Sequence, residues 1–226
     1  NDIKFEILSN PEFLAEGTAI KDLYKSDRVL IGSEDTESAK EAVEKLCEIY
    51  ERWIPKEKIL LTNIWSSELS KLASNAFLAQ RISSINSLSA FCEKTGAKIQ
   101  EVASAVGKDS RIGDKFLNAS IGFGGSCFKK DILNLVYLSN YYGLTEVGEY
   151  WHQVVKINDY QKSRFVKKIL ESLKDRIVNS KITIMGWSFK KNTNDSRESA
   201  SIYLANELIK KGANIIVIDP LSNISK

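Results

Sequence analysis

Short apolar, β-branched runs open the chain. Residues 5–8, 28–31 and 58–61 each have the length of a strand. Between the second and third runs, Ala39, Val43, Leu46 and Tyr50 recur at helical spacing. Cys47 joins that face, and together they predict a helix across 36–53. Strand, helix, strand in this order predicts a parallel α/β layer. Three strands are few for such a sheet, so its remainder is expected upstream of Asn1.

The pattern then turns helical. Ser66 or Ser67 can cap a helix that runs to about Thr95, with Gly96 as its stop. Roughly 30 residues at about 1.5 Å each make a rod of about 45 Å, longer than one small domain needs. Leu69, Leu72, Ala76, Leu88 and Phe91 give it an apolar side, and Ser83, Ser84, Ser87 and Ser89 give it a small-residue centre. Such close packing fits a helix that crosses a second subunit, which is the expectation; a buried spine within one subunit is the alternative. A short helix is expected across 99–106, ended by Gly107, another from near Asp131, and a long one across 145–173. The last part returns to α/β, with strands at 181–185 and 215–218 around a helix at 199–211 that Gly212 stops. This is one βαβ unit, with a right-handed crossover expected. Both ends read as cut from a longer protein.

Composition narrows the function. The 226 residues are 43% apolar and 27% charged, enough for a good core or two smaller ones. A net charge of +3 with no basic block points to neither a nucleic-acid nor an anionic-membrane partner. No apolar run approaches a membrane span. Cys47, Cys92 and Cys127 form no CxxC pair and leave one over from any pairing, which fits reduced thiols in the cytoplasm. The single histidine, His152, has no cysteine or second histidine nearby and reads as structural, so no metal is expected.

The sharpest chemistry lies in Gly122-Phe123-Gly124-Gly125-Ser126-Cys127-Phe128-Lys129-Lys130-Asp131. Three glycines in four residues let a backbone approach a ligand without Cβ clashes. Ile132, Leu133, Leu135, Val136 and Leu138 then form a helix face, with Ser126 as its expected N-cap. Cys127 would lie in the first turn, where the helix dipole and Lys129 or Lys130 favour a thiolate. Asp131 follows one turn later and could hold a water beside a bound acyl group. A glycine-rich turn ahead of a helix, with a structural cysteine, is the plainer reading. Cys47 and Cys92, each among apolar neighbours, take that plainer reading.

Other polar groups are weaker by themselves. Lys71 and Asn75 are four apart on the predicted long helix, so a lysine suited to an oxyanion and an amide suited to a sugar hydroxyl share one face; a solvated face is the alternative. Glu12 and Glu16 follow the first predicted strand, where open parallel sheets bind ligands, or simply open a helix. Gly186-Trp187-Ser188-Phe189-Lys190-Lys191 carries one glycine and paired lysines, which suits an anion held by side chains. Arg197 could grip a phosphate, and Asp219 at a strand end could meet a ribose; salt-bridged surface loops explain both as well.

Four stretches carry a resemblance that runs nearly end to end. They are Asn10-Pro11-Glu12-Phe13-Leu14-Ala15-Glu16-Gly17-Thr18-Ala19, the run from Trp65 through Lys71 and Asn75 to Phe77, the cysteine loop, and Phe189-Lys190-Lys191. Together they resemble the nucleotide-sugar 6-dehydrogenase family, in its UDP-glucose branch of eukaryotic or similar type. The resemblance implies an α/β fold in three parts. A partial Rossmann-like, NAD-binding domain spans 1–63. A long central helix with a helical dimerisation domain carrying Cys127 spans 64–178. The start of a second Rossmann-like, UDP-binding domain spans 179–226. It implies two successive oxidations of UDP-glucose to UDP-glucuronate with NAD, through a thiohemiacetal and a thioester on Cys127. Glu12 would handle protons, Lys71 would stabilise negative charge, Asn75 would contact the sugar, and Asp131 would place the hydrolytic water. Phe13, Leu14, Ala15, Glu16, Phe123, Gly124, Gly125, Phe189 and Lys190 would line the sugar-nucleotide site. Arg111 would reach a neighbouring subunit's substrate, which implies a homodimer or larger oligomer. Glu16, Cys127 to Lys130 and Arg197 would meet NAD.

The family's GxGxxG turn and threonine-bearing loop are not in this sequence. Asn118 and Asn194 stand where many relatives carry lysine and glycine. Two other readings stand beside this one. One is a dimerisation or substrate-binding module without chemistry of its own. The other is a sibling acting on GDP-mannose, against which Leu14-Ala15-Glu16-Gly17 argues by resemblance.

Overall fold

The computed structural model describes residues 5–222. The chain divides into two compact units, Asn1–Ser74 and Asn75–Lys226.

In the first unit a short helix α1 (Ala19–Tyr24) precedes strand β1 (Val29–Ser33), helix α2 (Glu37–Tyr50) and strand β2 (Ile59–Asn63). β1 and β2 pair in parallel, with Ile31 opposite Leu61. Thr36 caps α2 by accepting from the Ala39 amide at 3.1 Å, which fixes the start that the apolar spacing leaves open. The α2 stripe buries Val43 against Val29, Ile31 and Ile54, with Leu46, Cys47 and Tyr50 alongside.

The strand expected at residues 5–8 does not form. Only Ser9 bridges to β1, exchanging two backbone hydrogen bonds with Gly32 at 2.7 and 2.8 Å. A strand needs a ladder of such pairs, and Phe5 and Ile7 stay exposed without one. Gly32 has a second use. A Cβ there would come within 2.5 Å of the Ser67 Cβ, so the strand and the next helix approach closely only because it is absent.

That helix, α3, spans Ile64–Thr95. Its cap is Asn63, whose Oδ1 accepts from the Ser66 amide at 2.7 Å, and neither Ser66 nor Ser67. Ser67 is instead fully buried and accepts from the Ser9 hydroxyl. Gly96, at φ +78°, ends the helix as expected.

The second unit holds α4 (Ile99–Gly107), α5 (Ser126–Tyr141), α6 (Thr145–Leu173), β3 (Lys181–Met185), α7 (Ala200–Lys210) and β4 (Asn214–Ile218). β3 and β4 are parallel, joined through α7. The first half of α6 packs Val154 and Val155 against Ala76 and Ala79 of α3 and against Ile132 and Leu135 of α5. Its second half packs Val166 against Leu204 and Leu208 of α7 and against Ala213. Ser83 and Ser89, expected to face another subunit, are buried within this unit, Ser83 donating to the Val154 carbonyl at 2.8 Å. Leu69, Leu88 and Phe91 of the expected apolar side are exposed. Among the described residues no helix is long and apolar enough to cross a membrane.

Candidate functional site

In the first unit, the segment after the Ser9 bridge is anchored by Asn10. Its Nδ2 donates to the Leu30 carbonyl at 2.8 Å, and its Oδ1 accepts from the Tyr50 hydroxyl at 2.7 Å. This aims Glu12 at Lys71 of α3. The Lys71 ammonium donates to the Glu12 carboxylate at 2.9 Å and to the Glu12 backbone carbonyl at 2.6 Å. The other carboxylate oxygen accepts from the Leu14 amide at 2.7 Å, so Glu12 closes its own turn. Phe13 lies beneath the Arg28 guanidinium, 3.9 Å from Cζ to the ring centroid, with the Lys71 ammonium at 5.5 Å. The structure thus brings together Glu12, Phe13 and Lys71, three of the expected residues, and adds Arg28. Ala15 and Glu16 lie exposed just ahead of α1, where Asp22 accepts from the Ala15 amide at 3.0 Å.

In the second unit, the glycine loop leads straight into α5. Gly125, at φ +80°, is the capping residue, and Ser126 already belongs to the helix. The expected serine cap is therefore replaced by a backbone turn that only glycine adopts without strain. Cys127 lies exposed in the first turn, with its thiol 3.7 Å from the Ser126 hydroxyl. One turn on, Asp131 is buried and accepts from the Asn75 amide nitrogen at 2.6 Å. Lys130 lies 3.9 Å from its other oxygen. Lys129 reaches Glu198 at 3.2 Å.

The loop is held from two sides. Asn158 of α6 accepts from the Phe123 amide at 2.8 Å and donates to the Phe123 carbonyl at 3.0 Å. On the other side, Phe189 packs on the glycines, its ring over Gly125 and its Cβ beside Gly124. A Cβ on Gly125 would lie 2.9 Å from that ring, and one on Gly124 would lie 2.6 Å from the Glu198 carbonyl. The Gly125 amide donates to the Arg197 carbonyl at 2.9 Å. Phe189 therefore adjoins the cysteine loop, and the Lys190 ammonium lies 5.5 Å from the Phe189 ring centroid.

Other expected residues are engaged differently. The Arg197 guanidinium grips the Asp195 carboxylate at 2.6 to 3.0 Å. Arg111 pairs with Asp109 at 2.7 Å and is exposed. Its loop is pinned by Arg81, which donates to the carbonyls of Ile112, Gly113 and Lys115. Asp219, considered for a ribose, instead accepts from the amides of Trp187, Ser188, Leu221 and Ser222. Those amides hold its carboxyl well below the usual carboxylate range. Burial pushes the Lys162 ammonium down from the usual lysine value, partly offset by Asp159.

Sequence reasoning missed Asn158, Arg81 and Glu198. A signal for the first existed. Asn158, Gln161 and Lys162 occupy the inward stripe of α6 between Val154, Val155 and Val166, and all are buried. Polar side chains on an apolar stripe need specific partners.

Among the described residues no group of three or more His, Cys, Asp or Glu side chains is placed to hold a metal ion. For a dinucleotide the fit is partial. The parallel β1–α2–β2 unit presents its carboxyl edge at Ser33 and Asn63, the edge where such sheets take nucleotides. The sequence carries no GxGxxG turn for a pyrophosphate.

Three family models match the chain in order. They are the NAD binding domain of the UDP-glucose/GDP-mannose dehydrogenase family over residues 1–54, its central domain over 65–160, and its UDP binding domain over 183–226. The UDP-glucose 6-dehydrogenase of Mus musculus is 60% identical over 97% of this chain, which covers 44% of that protein. The enzyme of Drosophila melanogaster is 63% identical over 96% of this chain, which covers 46% of that protein. The chain thus spans less than half the length of these relatives. A solved UDP-glucose dehydrogenase from Pyrobaculum islandicum superposes with a TM-score of 0.89 at 35% identity, over 97% of this chain and 49% of that one. Matched in order by all three domain models, with its glycine–cysteine loop inside the central one, the chain belongs to the UDP-glucose/GDP-mannose dehydrogenase family.

Proposed function

We propose that the protein from which this chain comes oxidises UDP-glucose to UDP-glucuronate in two NAD-dependent steps, with Cys127 as the covalent nucleophile. The observation that carries this reading is the exposed Cys127 thiol in the first turn of α5, behind glycines packed under Phe189, with the Asn75–Asp131 pair one turn on. The identity to enzymes of that name supports the substrate. NAD+, when bound, accepts a hydride at each oxidation.

The chain's own residues supply the rest. In the first oxidation Glu12 takes the hydroxyl proton and Lys71, paired with Glu12 at rest, stabilises the negative charge that develops on that oxygen, leaving an aldehyde. The Cys127 sulfur forms a bond to the aldehyde carbon, giving a thiohemiacetal. Its oxidation leaves a thioester, and water adds to that carbonyl, breaking the C–S bond and freeing the thiolate and the carboxylate product. Asp131, buried and oriented by Asn75, places that water. Asn75 also contacts the sugar. In this reading Phe13, Leu14, Ala15, Glu16, Phe123, Gly124, Gly125, Phe189 and Lys190 line the substrate, and Glu16, Cys127, Lys130 and Arg197 would meet NAD. We divide the chain into an NAD-binding part at 1–63, a central part at 64–178 and a UDP-binding part at 179–226. The exposed Leu69, Leu88 and Phe91 support a homodimer through α3, to which Arg111 would contribute. The three free thiols suit the reducing cytoplasm.

The test is stoichiometry in the full-length protein. Two NADH per UDP-glucose are expected, and Cys127→Ala should abolish their formation. Full turnover by Cys127→Ala would overturn the covalent route. Calorimetry separates substrates: UDP-glucose should bind and GDP-mannose should not, with Lys190→Ala weakening the first.

A further inference from the structure

We infer that Asn158 is a positioning residue for the Cys127 nucleophile, acting through the backbone of Phe123. This rests on the role proposed above for Cys127 but names a residue outside the motifs that carry it.

Asn158 is 2% exposed and lies 35 residues from its partner. Its carboxamide closes a two-bond ring on one peptide position, accepting from the Phe123 amide and donating to the Phe123 carbonyl. No ladder or helix otherwise holds that backbone, because residues 118–125 are neither strand nor helix. The same Oδ1 occupies the space beside Gly122, where a Cβ would lie 2.8 Å from it. At φ +126°, Gly122 can turn the chain toward the clamp. The fixed residue transmits its position in two ways. The Phe123 side chain is buried in the core and meets the Phe128 ring edge-on, centroids 5.8 Å apart. Phe128 directly follows Cys127. The Phe123 backbone also sets the origin of Gly124, which packs against the Glu198 carbonyl, and of Gly125, which meets the Phe189 ring and donates to the Arg197 carbonyl. Asn158 therefore locks the far end of the loop whose near end presents the thiol.

A charged residue beside the clamp is Lys162, one turn on along α6, whose Cγ is 3.4 Å from a Cβ position on Gly122. Its ammonium lies 3.9 Å from Asp159, and Glu198 and Lys129 also act on it.

The experiment uses the full-length protein and reads the rate of Cys127 alkylation by iodoacetamide, by peptide mapping, beside kcat and melting temperature. Gln161→Ala is the control. It removes an equally buried amide that donates to the Ser120 carbonyl at 2.6 Å, two residues ahead of Gly122. Asn158→Ala should lower kcat roughly 100-fold, the order that a misplacement of about 1 Å costs, and should change the alkylation rate. Gln161→Ala should lose a similar melting temperature and keep the wild-type alkylation rate. Equal effects of the two variants on Cys127, or none from Asn158→Ala, would overturn the inference.

If Asn158→Ala does not fold, Asn158→Asp decides. Its protonated carboxyl can donate and accept as the amide does, whereas the ionised form faces the Phe123 carbonyl with a second acceptor. Its alkylation rate should differ from wild type at pH 8 and converge on it as pH falls. A rate equal to wild type at pH 8 would overturn the inference. Should the wild-type protein not oxidise UDP-glucose, the proposed function falls, yet alkylation still reads the clamp.

Discussion

Asn75 donates to the Asp131 carboxylate across 2.6 Å, although 56 residues separate them in sequence. Asp131 is 6% exposed, and its other oxygen lies 3.9 Å from the Lys130 ammonium. Asn75→Ala leaves a buried acceptor short of a partner, which costs about 1–3 kcal/mol. The expected result is a lower melting temperature together with slower turnover. A variant as stable as wild type would mean that water replaces the amide fully.

Lys71 and Glu12 should behave oppositely. Their ion pair is open to solvent, with the Glu12 side chain 58% exposed, so its contribution to folding is below about 1 kcal/mol. A group that stabilises a developing oxyanion contributes far more to rate, about 10²- to 10³-fold. Lys71→Ala should therefore leave urea unfolding almost unchanged while reducing kcat by that order. Parallel losses in both measurements would argue that the lysine only holds the 10–17 segment in place.

Gly125 should tolerate no side chain. Alanine there meets both a left-handed backbone and the Phe189 ring at 2.9 Å. Strain and overlap of this kind cost about 1–3 kcal/mol each. Chemical denaturation should show Gly125→Ala destabilised, and adding Phe189→Ala should return the steric part only.

Asp219 predicts a pH dependence. Its folded carboxyl lies below its unfolded value because the Trp187 amide, then those of Leu221, Ser188 and Ser222, favour the charged form. The folded state thus binds fewer protons than the unfolded one as pH falls past about 4, the unfolded Asp value. The contribution is complete above that pH and is lost as pH drops toward the folded value. Melting curves of wild type and Asp219→Asn should therefore differ at pH 7 and draw together in acid. A gap independent of pH would show that the carboxylate charge is immaterial.

Periodicity and punctuation revealed α2, α3, α4, α6 and α7 but not α1, and the helix expected from near Asp131 begins at Ser126. The bounds expected for α6 and β3 match the structure residue for residue, because a long amphipathic stripe and an isolated β-branched run leave few alternatives. The run at residues 5–8 has the same composition as a strand but lacks the ladder partner that composition cannot report. Asn63 capped α3 unseen because serines one turn later offered the same signal. Within the site, the cysteine loop was legible from its own glycines. The Glu12–Lys71 and Asn75–Asp131 contacts span 59 and 56 residues, and no local spacing encodes them. Asn158 was hidden for the same reason, since its partner is a backbone that any residue could supply.

The packing of Phe189 against Gly124 and Gly125 ties the fates of three positions. A methyl group added to Gly125 has no room until the ring shrinks or withdraws, one added to Gly124 meets the Glu198 backbone as well, and a smaller residue at 189 leaves a hollow above bare backbone. Single replacements at these sites should therefore be rejected one at a time in a mutational library, and survivors should carry compensating pairs. The thiol loop and the loop that carries Phe189 would then have to drift through sequence space together.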